Sequence, residues 1–281
     1  LHRREITGLG RGLAQTGDLA AEGMARTFEA LQGFKQVMED YGVAAYRAVG
    51  TQALRQAKNR QVFLDRLRDS LGLAVQVLAP EEEARLSLQG VLSALDPKYL
   101  PGPVLVFDVG GGSSEFALVQ PGREPRFASL PLGVLTLSQA RPLGDPPAPE
   151  KVAALHEEIA AKLGVLRDQV CPPDLTGAVR LVGTAGAVTT LAAMHLKLSH
   201  YDPNKVNNLV LSRPQLANLT GLISRLSDSE RAKLPGIEPA KAGVMVAGGL
   251  IIQAILEVFE QDSLVVIDAG LLEGVLESFE F

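Results

Sequence analysis

Apolar positions along the chain alternate between helical and strand spacing. Leu19, Met24, Phe28, Leu31, Phe34 and Met38 recur every three to four residues, which predicts a helix to Tyr41 with Asp18 as its N-cap. The run Val43 to Val49 reads as a strand, 51–71 as two short helices or one kinked helix, and Leu73 to Leu78 as a second strand. Pro80 opens a helix at the first-turn position that proline favours. Val104 to Phe107 and Phe116 to Val119 are short apolar runs joined by Gly110, Gly111 and Gly112. With a third strand near Arg126 to Leu130 they predict an antiparallel meander. A helix over 150–170 follows, then a strand from Val179 to Val182, a turn at 183–186 and a helix from Ala187 to Leu198. Helices near 213–226 and 238–260, a strand from Leu264 to Asp268 and a terminal helix to Phe279 complete the chain. Three strands followed by alternating helices and strands make an α/β fold. Pro97, Pro101, Gly102 and Pro103 form a stiff break, which divides the chain into lobes of residues 1–95 and 96–281.

Composition narrows the function classes. The chain has 281 residues, 46% hydrophobic and 21% charged, so it folds around a substantial core. Its net charge of −5 gives no global attraction for polyanions, so nucleic acid is not an expected partner and any phosphate affinity must be local. The single cysteine, Cys171, sits beside Pro172 and Pro173 and reads as a loop thiol in a reducing cytoplasm. The apolar stretch Ala242 to Ile255 is interrupted by Gly248 and Gly249 and reads as too short to cross a membrane.

The chemistry concentrates at two turns. Three consecutive glycines give up backbone entropy and mark close approach to the main chain. Their amides form a nest suited to anions, and Ser113 and Ser114 add hydroxyls. Asp108 and Glu115 flank the nest, and their charges call for a hard cation such as Mg²⁺ beside any phosphate. The plain alternative is a loose glycine turn with Asp108 ending a strand. Gly183, Thr184, Ala185 and Gly186 lie between a strand and a helix N-terminus, a second anion-binding arrangement, or simply a tightly packed turn. Both turns are expected to face one space. Glu81, Glu82 and Glu83 occupy a first helical turn, where the helix dipole alone favours them. The basic residues from Arg55 to Arg68 read as a solvated helical face, and the GLGRG run at 8–12 as a connector.

Several segments together resemble the exopolyphosphatase/guanosine pentaphosphate phosphatase family, short two-domain type. They are RAVGTQALRQAKN at 47–59, PEEEAR at 80–85, VFDVGGGSSE at 106–115, LVGTAGAVTTLAA at 181–193, YDPNKV at 201–206 and IDAGLLEGVL at 267–276. The resemblance implies a two-lobed, actin-like (ribonuclease H-like) ATPase fold with substrate held between lobes, the terminal helix packing back on the first. It implies Mg²⁺-dependent hydrolysis of a phosphoanhydride, with a monovalent cation as a second candidate cofactor. The substrate would be inorganic polyphosphate or a guanosine polyphosphate. Glu83 matches the water-activating glutamate, and Asp108 and Glu115 match the metal-side carboxylates. Gly110, Gly111, Gly112, Ser113 and Ser114 match one phosphate loop, and Gly183, Thr184, Ala185 and Gly186 the other. Arg55 matches an arginine facing substrate, and the basic face beyond it could carry the rest of a polyphosphate chain. The family's opening strands and Asp-x-Gly-Ser-Asn-Ser turn are absent from this sequence, so the first lobe is expected to expose a sheet edge through which a homodimer could form. Asn207-Asn208 stands where the family has His-Gly, and Leu272 where it has arginine. The alternatives are a non-catalytic sensor of guanosine polyphosphates and a phosphotransferase of the same superfamily.

Overall fold

A computed structural model describes residues 3, 5–175 and 179–279. The chain divides into two compact units, one running to Leu86 and taking in Ser278 and Phe279, the other spanning Ser87–Glu277. The division falls within helix Pro80–Ala94 rather than at the proline break. The physical reason is burial: Leu88, Val91 and Leu95 pack with Val104, Val106, Val182, Val265 and Ile267, so the second half of the helix belongs to the second core.

In the first unit, β1 (Ala48–Gly50) and β2 (Val75–Val77) pair in parallel. The apolar run from Val43 extends further than the strand, because strand structure persists only where β2 offers partners. Helices Gln52–Gln56 and Arg60–Leu71 follow β1 as two separate elements. Helix Ala21–Asp40 starts after Ala20 and has no side-chain cap; Asp18 does not cap it. A tertiary clamp fixes its entry instead. The Leu19 N–H donates to Asn59 Oδ1 at 2.8 Å, and Asn59 Nδ2 donates to the Leu19 carbonyl at 3.0 Å.

In the second unit, the strands are β3 (Val104–Val109), β4 (Ser114–Val119), β5 (Arg126–Leu130), β6 (Arg180–Thr184), β7 (Leu209–Ser212) and β8 (Ser263–Val266). Among the described residues they form one mixed sheet in the order β5-β4-β3-β6-β8-β7. The meander β3-β4-β5 is antiparallel, β3, β6 and β8 are parallel, and β7 runs antiparallel along β8. Alternation along β3 sends Leu105, Phe107 and Val109 to the core shared with helices Pro149–Val170 and Met245–Val258. Val104 and Val106 face the opposite way, to the layer covered by Leu88 and Val91.

The sequence pattern misses several short elements, among them β7 and helix Val134–Ala140. Each is too short to establish a period, and tertiary pairing makes it. Strand β6 runs on through Gly183 and Thr184, and its helix begins at Ala185 and ends at His195, so the expected four-residue turn contracts to a single junction. The apolar segment is also longer than its glycines suggest. Residues 239–258 are helical and apolar enough to cross a membrane, yet 67% of their most apolar 18-residue window is buried inside the protein.

Glycine marks one close contact here. A Cβ on Gly90 would sit 2.0 Å from the Gly270 carbonyl oxygen and 2.6 Å from the Gly274 nitrogen, where helix Pro80–Ala94 meets helix Leu271–Glu277. Backbone cannot yield as a side chain does. Gly90→Ala is therefore expected to destabilise the second unit by about 1–3 kcal/mol. Gly33 is exposed on helix Ala21–Asp40, and an added Cβ meets nothing within 4 Å. Gly33→Ala should stabilise by about 0.5–1 kcal/mol. Denaturant midpoints of the two variants should move in opposite directions.

Candidate active site

The glycine turn Gly110–Ser113 is held in place by the helix that the sequence pattern missed. The N–H of Val134 donates to the Gly110 carbonyl at 3.0 Å, and the N–H groups of Leu135 and Thr136 donate to the Gly111 carbonyl at 2.9 and 3.1 Å. These are donors that a helix start leaves unpaired. In a trans peptide the carbonyl and the next N–H point opposite ways. Aiming the carbonyls of Gly110 and Gly111 at the helix therefore turns the amides of Gly111 and Gly112 away from it. Gly133 permits the approach, since a Cβ there would lie 2.4 Å from Gly111 backbone atoms. At Gly111 and Gly112 an added Cβ would come no nearer than 3.8–3.9 Å to the protein, so nothing in the fold itself demands glycine there.

The two anticipated turns do converge. Gly110, Gly111, Ala185, Gly186 and Ala187 line one cavity of about 160 Å³, with Val109, Val134, Val244 and Met245 as apolar wall and Lys241 as the cation. A Cβ on Gly186 would be 3.9 Å from Lys241 Nζ. Lys241 also donates to Glu238 Oε1 at 2.8 Å. Sequence reasoning passed over Lys241 because a lone lysine at a helix start carries no motif; its place became visible only with the cavity.

Several anticipated phosphate donors are committed elsewhere. The Gly110 N–H donates to the Ser113 carbonyl at 3.0 Å. Ser114 is fully buried, and its hydroxyl donates to the Leu132 carbonyl at 2.6 Å. Thr184 is buried and donates to the Ala269 carbonyl at 2.9 Å. Gly183 lies inside β6, where a Cβ would meet the Phe107 ring at 2.7 Å, so its smallness serves packing. The amides of Gly111, Gly112 and Gly186 and the hydroxyl of Ser113 remain. Ala185 adopts φ 70°, a left-handed conformation rare for alanine.

Asp108 lies directly opposite Glu115 across β3 and β4 and opposite Thr184 across β3 and β6. Asp108 Oδ1 is 3.9 Å from where a Gly110 Cβ would stand, so the carboxylate borders the turn. Burial, and to a lesser degree the Glu115 charge, pushes the Asp108 carboxyl up to about 6. Glu115 is exposed and accepts from the Ser129 hydroxyl at 3.2 Å.

In the first unit the three glutamates have different surroundings. Glu81 is exposed. Glu82 accepts from Arg47 Nη2 and Gln76 Nε2, both at 3.1 Å. Glu83 accepts from Arg55 Nη1 at 2.5 Å, and the same nitrogen donates to the Leu78 carbonyl at 2.8 Å. Of the basic stretch, Arg66 stacks on Phe28 at 4.2 Å and Arg68 pairs with Asp65 and Asp69. Those two charges are met locally.

Residues 1–280 match the profile of the Ppx/GppA phosphatase family. The chain belongs to that family. It is 30% identical to exopolyphosphatase 2 of Mycobacterium tuberculosis, over 98% of this chain and 88% of the relative. A crystal structure of the Aquifex aeolicus Ppx/GppA family member matches at 35% identity and TM-score 0.86, covering all of this chain and 90% of that one. An exopolyphosphatase structure from Cytophaga hutchinsonii matches at 25% identity and TM-score 0.80, covering 98% and 87%.

The departures from the Ppx/GppA pattern have structural content. Asn208 sits at φ 61°, a conformation glycine adopts freely and asparagine tolerates. Its side chain accepts from the Asp96 N–H at 2.8 Å and donates to the Ala94 carbonyl at 2.9 Å, tying the end of helix Pro80–Ala94 to β7. Asn207 Oδ1 accepts from the Asp268 N–H at 2.7 Å. Leu272 is 61% exposed and contributes no charge.

The raised Asp108 pKa sets a pH dependence. The carboxyl ionises near pH 4 in an unfolded chain and near 6 in the fold. The folded state therefore holds the proton more tightly, and this stabilisation is complete below pH 4 and lost as pH rises from about 4 to about 6. In metal-free buffer, Asp108→Asn should stabilise the protein at pH 7.5 by about 1–3 kcal/mol and change little at pH 4. Equal melting shifts at the two pH values would mean that the carboxylate is not penalised.

Proposed function

We propose that this chain hydrolyses the terminal phosphoanhydride of inorganic polyphosphate, with Mg²⁺ held by Asp108 and Glu115. The observation that carries the reading is the meeting of the Gly110–Gly111 turn and the Ala185–Gly186 helix start in one cavity, with Lys241 in its wall and Asp108 beside the Gly110 turn. The family and the exopolyphosphatase relatives support it.

The carboxylates suit this cation. Mg²⁺ takes one or two protein carboxylates and completes its octahedron with water and substrate phosphate. Among the described residues no cluster of three or more His, Cys, Asp and Glu side chains is placed as a closed metal cage. Two opposed carboxylates, one made costly to ionise by burial, are an arrangement that a divalent cation relieves. The cation, when bound, would screen phosphoryl charge.

The remaining work belongs to the chain. The amides of Gly111, Gly112 and Gly186 would hold the terminal phosphate oxygens, and Lys241 would offset their charge. Glu83 would accept the proton of the attacking water. Arg55 Nη1 fixes the Glu83 carboxylate, which leaves Nε and Nη2 for a phosphate oxygen. The 160 Å³ cavity suits a single phosphoryl group better than a nucleoside.

The direct test is phosphate release from polyphosphate and from guanosine pentaphosphate, each with Mg²⁺ and with chelator. Release from neither substrate would end the reading, and release from the nucleotide alone would reassign the substrate. Glu83→Gln should lower kcat on polyphosphate roughly 10²–10⁴-fold while substrate binding persists. Glu81→Gln should leave turnover near that of the parent protein. Equal losses in both variants would reduce the glutamates to a helix-dipole role.

A further inference from the structure

The cation of the cavity is already paired. Among the described residues that line it, Lys241 alone carries a charge. Its ammonium donates to Glu238 Oε1 at 2.8 Å. The two side chains differ in setting. Lys241 is 25% exposed, with Nζ 3.9 Å from where a Gly186 Cβ would stand, whereas Glu238 is 59% exposed and reaches into solvent.

Glu238 stands where a helix cap is expected. It precedes the 3₁₀-helical turn Pro239–Val244, which leads into helix Met245–Val258, and its backbone is extended at φ −71° and ψ 128°. A short Ser, Thr, Asp or Asn at such a position accepts from first-turn amides. The Glu238 side chain makes no such bond. Its carbonyl accepts from the Lys241 N–H at 2.8 Å, which closes a turn over residues 238–241 and keeps the two side chains within reach. The carboxylate therefore serves the ammonium rather than the helix.

An ion pair with one partner this exposed is weak, because water competes for the carboxylate. The pair opens readily, yet its charge is felt by anything bound beside Lys241. At physiological salt, charges interact over a Debye length of about 8 Å, and a phosphate on Lys241 Nζ would lie closer than that to Glu238. If the carboxylate stays, it repels the phosphate; if it swings away, the pair is lost. Either course reduces the affinity for an anion.

We propose that Glu238 is an internal anion that competes with phosphate for Lys241 and holds the affinity of the cavity down, so that inorganic phosphate formed there is released. The proposal rests on the cavity taking a phosphoryl group, and its test separates the two ideas.

Glu238→Gln keeps the length of the side chain and removes its charge. By calorimetry on the full chain at low salt, its Kd for inorganic phosphate should be roughly two- to fivefold lower than that of the parent protein, the scale of one exposed ion pair. The difference should fade near 1 M NaCl, where the Debye length is about 3 Å. In polyphosphate turnover, the inhibition constant of added phosphate should fall by the same factor. Lys241→Met should weaken phosphate binding, and in that background the effect of Glu238→Gln should shrink, since competition requires the ammonium. Unchanged or weaker phosphate binding in Glu238→Gln would overturn the proposal and leave Glu238 as a support for Lys241 or a charge at a helix start. An equal effect without the ammonium would overturn it as well, in favour of plain repulsion. Tightened phosphate binding in a protein that does not hydrolyse polyphosphate would keep the competition and sink the hydrolytic reading. Absence of phosphate binding in both the parent and Glu238→Gln would remove the phosphoryl site and the proposal together.

Discussion

The geometry of the second unit depends on how β3 is paired. It lies antiparallel to β4 on one side and parallel to β6 on the other, so Asp108 faces Glu115 and Thr184 at once. Side chains on a strand alternate faces, and a slip of one residue would exchange Asp108 with Phe107. The carboxylate would then enter the apolar core and the phenylalanine would face the opposite layer. Burial of Phe107, Phe116 and Leu105 on one face fixes the register that places the acids on the other. The hydrophobic core thus sets the position of the chemistry.

Within that frame, charge is unevenly met. Asp108 is desolvated beside a second carboxylate, whereas the cavity is bordered by neutral backbone amides with Lys241 as the cation. Neutral donors cost less to hold in a cavity than a cluster of fixed cations, which would repel one another before any ligand arrived. Elsewhere charges are balanced locally, as for Arg68 between Asp65 and Asp69, or Arg231, which is buried, pairs with Asp228 and donates to the Ile223 and Leu226 carbonyls. The net charge of −5 is no obstacle to a polyanion when attraction is this local.

Small residues do two unlike jobs around the site. Gly133, Gly183 and Gly90 are small because protein backbone or rings press against them. Gly111 and Gly112 have room to spare, so their smallness serves whatever approaches from outside. Sequence alone does not separate the two kinds.

The sequence by itself determined most of the elements and the family. Period and turn chemistry were enough for the meander of β3, β4 and β5, for helix Pro149–Val170, and for the Gly110–Ser113 turn, because these are long or strongly patterned. The motifs carried the Ppx/GppA membership. The tertiary structure decided the rest. Asn59, distant in sequence, bonds Leu19 ahead of a helix start that Asp18 does not cap. Helix Val134–Ala140 oriented the glycine amides, and Lys241 reached the cavity from a segment distant in sequence. Ser114 and Thr184, donors by residue type, were turned inward by strand alternation and bonded to carbonyls. Which hydroxyls and amides remain free for a ligand depends on what long-range packing has already satisfied, and local sequence does not encode that count.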